Sequence, residues 1–298
     1  MNKRTKLNSH IPVLLNEIII FLYPHYEKVY IDATFGNGGY SRSILEQEKN
    51  KKSKVIAFDC DQITINCAQK IKNKYQNNFV YFNNNYSNTN FCINNIKIKK
   101  IDVFLFDFGI SSMQIGNFKR GFSFKNNNDC DMRNSNKRVN NSNIMIKNIK
   151  KNLLKNIFFS LGEEKKAEKF AKQITNKKYI HNIIKMSQII KIISSYKYYS
   201  NIFFATKFLQ AIRMFLNAEI INLSIILKKI NYFLNNNGLI VTVTFNSVED
   251  KIVKEFFKLL CYDKKFKLIV KKVLINSNKE IQLNMKARVS KIRILCKV

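Results

Sequence analysis

Three short apolar runs in the first part of the chain each close on an aspartate. They are Val29-Tyr30-Ile31-Asp32, Lys54-Val55-Ile56-Ala57-Phe58-Asp59 and Ile101-Asp102-Val103-Phe104-Leu105-Phe106-Asp107. The first leads directly into Ala33-Thr34-Phe35-Gly36-Asn37-Gly38-Gly39-Tyr40-Ser41, which holds three of the chain's eight glycines. A strand, a glycine turn and a helix start present N–H groups to a ligand at the edge of a parallel sheet. Spacing narrows the ligand. A nicotinamide fingerprint, G-x-G-x-x-G, needs its third glycine at residue 41, where the chain has Ser41. The turn also lacks the lysine of a phosphate-binding loop. Asp59 follows Gly39 by twenty residues, where a carboxylate can accept both hydroxyl protons of a ribose. An adenosine cofactor without a pyrophosphate, S-adenosylmethionine, fits this set. A simple strand-end cap is the plainer account of Asp59.

Asp107 opens a second constellation, Asp107-Phe108-Gly109-Ile110-Ser111-Ser112-Met113-Gln114. A carboxylate at the tip of this strand would lie across the sheet crevice from the glycine turn. Methyl transfer to an exocyclic amine is slow because the nitrogen lone pair is delocalised into the ring. Acceptors on the amine N–H groups draw the nitrogen toward tetrahedral geometry, and Asp107 with a neighbouring backbone carbonyl suits that task; positioning supplies the rest. A third group, Lys119-Arg120-Gly121-Phe122-Ser123-Phe124 followed by Asp129-Cys130-Asp131-Met132-Arg133, interleaves aromatics with arginine. Such a loop suits an unstacked base and its phosphates, or else packs internally.

The elements that must position these residues alternate. An amphipathic segment running to Leu22 precedes the first strand, and a helix through Leu45 and Glu46 follows the glycine turn. A helix over Ile63 to Ile71 and a strand Phe79-Val80-Tyr81-Phe82 come before the strand ending at Asp107. Short continuous apolar runs alternating with helices predict a parallel α/β sheet. The rhythm breaks after Gly109. Ser111 to Arg133 is loop-like, Asn126 to Asn148 is Asn-rich and of low complexity, and Asn148 to about Lys197 is helical, with Leu161, Ala167, Phe170, Ala171 and Ile174 on one face and Ile183, Ile184 and Ile189 to Ile193 on another. One long helix, Phe208 to Phe233, then resumes the α/β unit, stopped by Asn235-Asn236-Asn237-Gly238 with Gly238 in a C′-like position. Leu239 to Phe245 forms a fifth strand, Val248 to Leu260 a helix, and Leu268 to Ile275 and Lys291 to Leu295 two closing strands. Seven strands suit a methyltransferase-like sheet better than a dinucleotide dehydrogenase. The expected organisation is a methyltransferase-like domain in two parts, residues 1–117 and 204–298, around a helical insertion, 118–203.

Composition bounds the partners. The 52 Lys and Arg against 20 Asp and Glu leave a net charge of +32, which favours a polyanion. The abundance of Lys, Asn and Ile beside scarce Gly, Pro and Trp also reflects AT-rich coding, so charge by itself leaves nucleic acid an open reading. No apolar run approaches the ~18 residues of a membrane span, and no signal-type core follows Met1 to Asn8. The six cysteines form no C-x-x-C pair and only three histidines occur, so neither a zinc site nor a disulfide framework is indicated. A cytoplasmic protein without metal or membrane attachment is expected.

The chain resembles the RsmH (MraW) family of bacterial small-subunit rRNA cytosine-N4 methyltransferases. Asp32 to Ser41 is similar to that family's D-G-T-F-G-x-G-G-H-S, Asp107 to Gln114 to its D-L-G-V-S-S-x-Q, and Arg120 to Phe124 to its R-G-F-S-F. Asp131-Met132-Arg133 matches D-M-R, Gly162-Glu163-Glu164 matches G-E-E, and Ala205-Thr206-Lys207 through Gln210-Ala211-Ile212-Arg213 resembles A-T-R-x-x-Q-A-x-R. His10 through Glu17 matches H-x-x-V-L-L-x-E. The resemblance covers nearly the whole chain. It implies a Rossmann-like S-adenosylmethionine-dependent methyltransferase sheet with an inserted all-helical domain, and cofactor contacts at Gly38, Gly39, Tyr40, Asp59, Tyr86, Asp107 and Gln114. It also implies a cytidine in the decoding region of small-subunit (16S) rRNA as substrate.

On this reading Asp107 is the catalytic acceptor, Arg120, Arg133 and Arg213 hold RNA phosphates, and Phe122 or Phe124 stacks on a base turned out of its stack. A satisfied internal arginine is the alternative for Arg213. The chain departs from the family at Ala33, Tyr40 and Met113, and at Phe245-Asn246-Ser247-Val248-Glu249-Asp250, where the family has F-H-S-L-E-D. Asn246 hydrogen-bonds but does not titrate near neutrality, and this motivates a rival reading: a ribosome-binding assembly factor that kept the fold and lost turnover. A DNA amino-methyltransferase fits less well, since the S/N/D-P-P-Y/F motif is absent.

Overall fold

The computed structural model describes residues 12–22, 27–47, 52–117, 120–122, 131–135, 140–181, 188, 201–262, 264–270 and 285–298. Seven strands form one sheet: β1 (Val29–Asp32), β2 (Lys54–Phe58), β3 (Phe79–Phe82), β4 (Ile101–Asp107), β5 (Leu234–Thr244), β6 (Phe266–Leu268) and β7 (Lys291–Lys297). Their order is β3-β2-β1-β4-β5-β7-β6. The first five run parallel, and β7 is antiparallel to both β5 and β6. Helices on both faces bury the central strands completely: Ile31, Val55, Ile56, Phe58, Phe104 and Phe106 are at 0% exposure. That burial is why these strands are unbroken apolar runs. The chain builds outward from β1 to β3, then returns to lay β4 on the other side of β1. The sheet's switch point, where such sheets bind ligands, therefore falls between the carboxyl ends of β1 and β4.

The chain divides into two compact units, one of Met1–Asp59, Ile63–Gly109 and Leu227–Val298, the other of Cys60–Gln62 and Ile110–Ile226. The first holds the sheet and a core that includes Leu22, Tyr30, Phe35, Ile44, Ile71, Val103, Val241 and Ile294. The second is helical, with Ser142–Asn148, Lys151–Gly162, Ala167–His181 and Asn201–Leu216. Its core joins Phe122, Ile157, Phe158, Phe170, Ala171, Ile174, Phe208 and Ile212. The shared face expected for Ala167, Phe170, Ala171 and Ile174 is buried here, with Leu161 packed against it. Residues 182–187 and 189–200, with their isoleucines, lie outside the described residues.

Several expectations are corrected. The long helix of 208 to 233 is two helices, Asn201–Leu216 and Glu219–Phe233, separated at Ala218, whose φ of 51° is left-handed. The first of these lends Phe208, Leu209, Ala211, Ile212 and Leu216 to the helical core. Gly238 does not terminate the second, because β5 begins at Leu234 and Asn237 takes the left-handed conformation, with φ 59°. The four residues instead form an irregularity in the β4–β5 ladder, where Ile101 pairs with Leu234 but Val103 with Leu239. A Cβ on Gly238 would meet Asn235 O and the Leu234 side chain at 2.8 Å, which accounts for the glycine. A helix at Ser142–Asn148, capped by Asn141 Oδ1 on Ile144 N (3.0 Å), rises from the Asn-rich stretch. The strand expected at Leu268 to Ile275 is Phe266–Leu268, and residues 271–284 lie outside the described residues.

Candidate active site

Strand β1 ends on Asp32, buried at 1% exposure. Its carboxylate accepts from Ser41 Oγ (2.6 Å) and Thr34 N (3.3 Å), tying the start of the glycine turn to the helix Gly39–Gln47 that follows. Burial pushes Asp32 up to about 6, against the opposing pull of these hydrogen bonds. Asp32 thus shapes the turn from inside. Ser41, the residue that breaks the nicotinamide fingerprint, is wholly buried and is Asp32's partner. Sequence reasoning missed this pair, although an acid and a hydroxyl nine residues apart across a turn was the available signal.

The glycines answer first to the protein's own packing. Gly38 has φ +72°, and a Cβ there would strike the Phe35 ring and Ile71 at 2.6 Å; a Cβ on Gly39 would strike Pro12 at 2.2 Å. Tyr40 is buried and its hydroxyl donates to Val13 O at 2.6 Å. Its side chain therefore anchors the leading segment, and what Gly39 and Tyr40 can offer a ligand is the main-chain N–H of a helix's first turn.

Two further links draw the strand tips together. Gly36 N donates to Asp59 Oδ2 at 2.8 Å, and Asp107 N donates to Thr34 Oγ1 at 2.6 Å. The glycine turn is thereby stitched to the ends of both β2 and β4, with Asp59 and Asp107 half-buried at the two tips. Tyr86, in the turn after β3, packs edge-on against Phe106 (5.9 Å) and Phe108 (6.3 Å) at the end of β4. The residues the structure brings together in the α/β unit are accordingly Gly38, Gly39, Tyr40, Asp59, Tyr86 and Asp107. Chemically the cluster offers carboxylate acceptors, an aromatic edge and helix N–H donors. The stretch Ala33 to Ser41 carries no lysine or arginine. Such a set suits a ribose and a cationic sulfonium, and offers no counter-charge for a pyrophosphate.

The other expected residues lie in the helical unit and are occupied there. Gln114 forms a reciprocal cap with Ser111: its N–H donates to Ser111 Oγ (3.2 Å), while its Oε1 accepts from Ser111 N (3.0 Å). Its Nε2 donates to Asp61 Oδ2 at 2.8 Å. The same Asp61 oxygen takes Arg120 Nη1 at 2.5 Å, and Arg120 Nη2 donates to Arg133 O. Arg133 grips Asp131 through two bonds, 2.5 and 2.8 Å, and Arg213 pairs with Glu219 at 2.8 Å. The arginines expected on phosphates are each paired with a carboxylate of their own unit, and for Arg213 this is the arrangement of the alternative reading. Phe122, expected to stack on a base, is in the helical core with Arg120 over its ring at 5.7 Å. Phe124 lies outside the described residues. Asp61, nearly fully buried at 3% exposure, is the organising residue that sequence reasoning overlooked.

Two more motifs acquire structural meanings. Glu163 ends helix Lys151–Gly162 in a left-handed conformation, and a Cβ on Gly162 would meet Ala211 Cβ and Lys207 O at 3.4 Å. Gln210 Nε2 reaches Leu161 O at 3.4 Å. Gly162-Glu163-Glu164 and the stretch through Arg213 are thus two sides of one close helix contact. Asn246 is the N-cap of helix Ser247–Tyr262: its Oδ1 accepts from Glu249 N at 2.9 Å. A cap needs an oxygen acceptor rather than a titrating ring, so the departure that motivated a non-catalytic reading has a local structural account.

Comparison with known proteins bears directly on this geometry, because residues 7–298 match the family described as the MraW methylase family. The chain belongs to that family. The ribosomal RNA small subunit methyltransferase H of Ehrlichia ruminantium (strain Welgevonden) is 36% identical over 302 residues, covering 97% of this chain and 99% of that protein. The protein of the same name from Wolbachia pipientis subsp. Culex pipiens is 36% identical over 293 residues, covering 96% and 98%. A Streptococcus mutans methyltransferase solved in complex with SAH covers 97% of this chain and 100% of its own at 13% identity, but its TM-score of 0.45 is too low to carry an argument. Among the described residues no cluster of His, Cys, Asp or Glu could hold a metal, and no single helix is long and apolar enough to cross a membrane.

Proposed function

We propose that this MraW methylase family member transfers a methyl group from S-adenosylmethionine to the exocyclic N4 of a cytidine in the decoding region of small-subunit (16S) rRNA, in the cytoplasm. The observation that carries the reading is the stitching of the glycine turn to Asp59 and Asp107 at the switch point of the sheet. S-adenosylmethionine, when bound, supplies an electrophilic methyl group on a sulfonium.

The chain's own residues do the rest. Asp59 accepts from ribose hydroxyls, with its other commitment, to Gly36 N, holding the carboxylate in place. Gly38, Gly39 and Tyr40 contribute main-chain groups, and Tyr86 presents an aromatic edge to the adenine. Asp107 accepts from the cytosine amine, drawing the lone pair out of conjugation; the proton released after transfer passes to water. Thr34 Oγ1 accepts from the Asp107 main-chain N–H and so fixes the strand tip from which the carboxylate projects. In the helical unit, Arg120, Arg133 and Arg213 act through their carboxylate partners to set the shape of the segments that meet RNA.

Nucleoside mass spectrometry of small-subunit rRNA from cells with and without the protein tests this. N4-methylcytidine should be present only with the protein; unchanged content sinks the reading.

A further inference from the structure

Three strand-end acids of the α/β unit and a group of its lysines lie at opposite edges of the sheet. Asp32, Asp59 and Asp107 stand at the carboxyl ends of β1, β2 and β4. The register places lysines at the other edge, before β4 and β6 and at the end of β7. Lys97, Lys99 and Lys100 precede β4, and Ile101 pairs with Leu234 at the start of β5. Strand β7 runs the other way, so its last residue, Lys297, reaches the same edge, opposite Phe266. Lys264 and Lys265 precede β6, with Val298 N donating to Lys265 O at 2.8 Å.

The cations converge. Lys100 Nζ donates to Tyr232 O (3.2 Å), and Lys297 Nζ to Asn231 O and Leu234 O (both 3.0 Å), so both cap the end of helix Glu219–Phe233. The Lys297 ammonium is held below its ordinary range, first by burial and then by the charges of Lys100 and Lys265. Around these, Lys97, Lys99, Lys228, Lys229, Lys264, Lys265 and Lys267 are exposed. Two tyrosines stand out among them, Tyr232 at 75% and Tyr262 at 86% exposure. Asp102, at the start of β4, has its two carboxylate oxygens on Val29 N and Asn235 Nδ2 (both 2.8 Å), and Asp263 lies outside the described residues. Four strands span about 14 Å, the axial rise of about four phosphates of one nucleic-acid strand.

We propose that this amino-end edge is a second RNA surface, which engages the phosphate backbone of folded small-subunit rRNA away from the target nucleotide. The inference rests on the rRNA-methyltransferase reading and sharpens it. Strand β4 has seven residues, so the edge lies about 23 Å from Asp107. Phosphates bound there belong to a different part of the RNA fold, and the preferred substrate is folded rRNA rather than a short single strand. Lysines supply the sequence-independent attraction, and the exposed tyrosines supply stacking platforms.

The test compares Lys99→Gln/Lys265→Gln/Lys267→Gln with a control of equal charge, Lys70→Gln/Lys72→Gln/Lys251→Gln. Affinity is measured across a salt series for a full small-subunit rRNA transcript and for a short oligonucleotide spanning the target cytidine. The edge variant should bind the transcript about tenfold more weakly, with the slope of log affinity against log salt reduced by about two. Its affinity for the oligonucleotide and, by calorimetry, for S-adenosylmethionine should stay at the wild-type value. Unaltered transcript binding overturns the proposal. So does an equal loss in the control, which would make the effect one of diffuse charge, or an equal loss on the oligonucleotide. Transcript affinity kept while binding to phosphatidylglycerol vesicles falls would make the edge a membrane surface instead. Wild-type protein that binds neither RNA would fail the functional reading itself, a result separable from any variant's behaviour.

Discussion

The strand-end aspartates of the α/β unit and the acids of the helical unit are used differently. In the α/β unit the aspartates of strands β1, β2 and β4 hold main-chain N–H groups: Asp59 takes Gly36 N, Asp32 takes Thr34 N, and Asp102 takes Val29 N at 2.8 Å, while Asp250, away from the strand tips, pairs with Lys291 and Arg293. In the helical unit acids hold cations: Asp61 takes Arg120, Asp131 takes Arg133, Glu219 takes Arg213, and Glu168 takes Lys151 and Lys155. The first arrangement fixes the backbone of the glycine turn and the strand ends. The second neutralises arginines and makes the loop and helix corners rigid. Residue type alone therefore predicts a side chain's task poorly; the neighbour it meets across the fold decides.

The sharpest challenge to this contrast is Asp107→Ala. Its fold-level bond runs through the main-chain N–H to Thr34, which alanine retains. Methylation should fall by a factor of about 10²–10³ or more, while circular dichroism stays native and calorimetry still detects cofactor, more weakly bound. Loss of folding would show that Asp107 is structural and erase the distinction between the units.

Arg213→Ala should act oppositely, on stability rather than on cofactor. Arg213 and Glu219 are both largely buried, so removing the cation strands a carboxylate at a cost of about 3–4 kcal/mol in urea denaturation. If stability holds and only RNA affinity falls, Arg213 is a phosphate ligand after all.

Asp32 supplies a pH test of the turn. Burial raises its pKa from 3.8 to about 6, so the folded protein favours the protonated form. That contribution is complete below about pH 4 and is lost as pH rises through about 6, corresponding to about 3 kcal/mol. Thermal melts between pH 4 and 7 should lose this slope in Asp32→Asn. An unaltered slope would place the titration elsewhere.

The smallest effect concerns Asn246. Asn246→Ala should cost about 1 kcal/mol as a lost cap, with Asn246→Asp restoring it. A collapse of the methylation rate at unchanged stability would instead give this residue a part in the reaction.

The strands around the site were legible because each is a continuous apolar run closed by an acid, and burial on both faces of a parallel sheet demands that pattern. The glycine turn was legible because glycine is scarce here, and the family because its motifs recur in order along nearly the whole chain. Local periodicity could not place the break at Ala218 or the irregular start of β5, where a left-handed residue rather than a change of hydrophobic pattern turns the chain.

The sequence by itself determined the sheet, the acids that close its strands and membership of the family, since these rest on short-range pattern and motif order. Only the tertiary structure decided what the recognised side chains do. Arg120 meets its carboxylate 59 positions away, Asp107 meets Thr34 at 73, and Asn217 meets Met132 O at 85. Partners so distant leave no trace in periodicity or spacing. For that reason Phe122 was expected on a base and is found in a core, and lysines from the segments before β4 and β6, from β6 and β7 and from a helix form one edge only once the sheet is assembled.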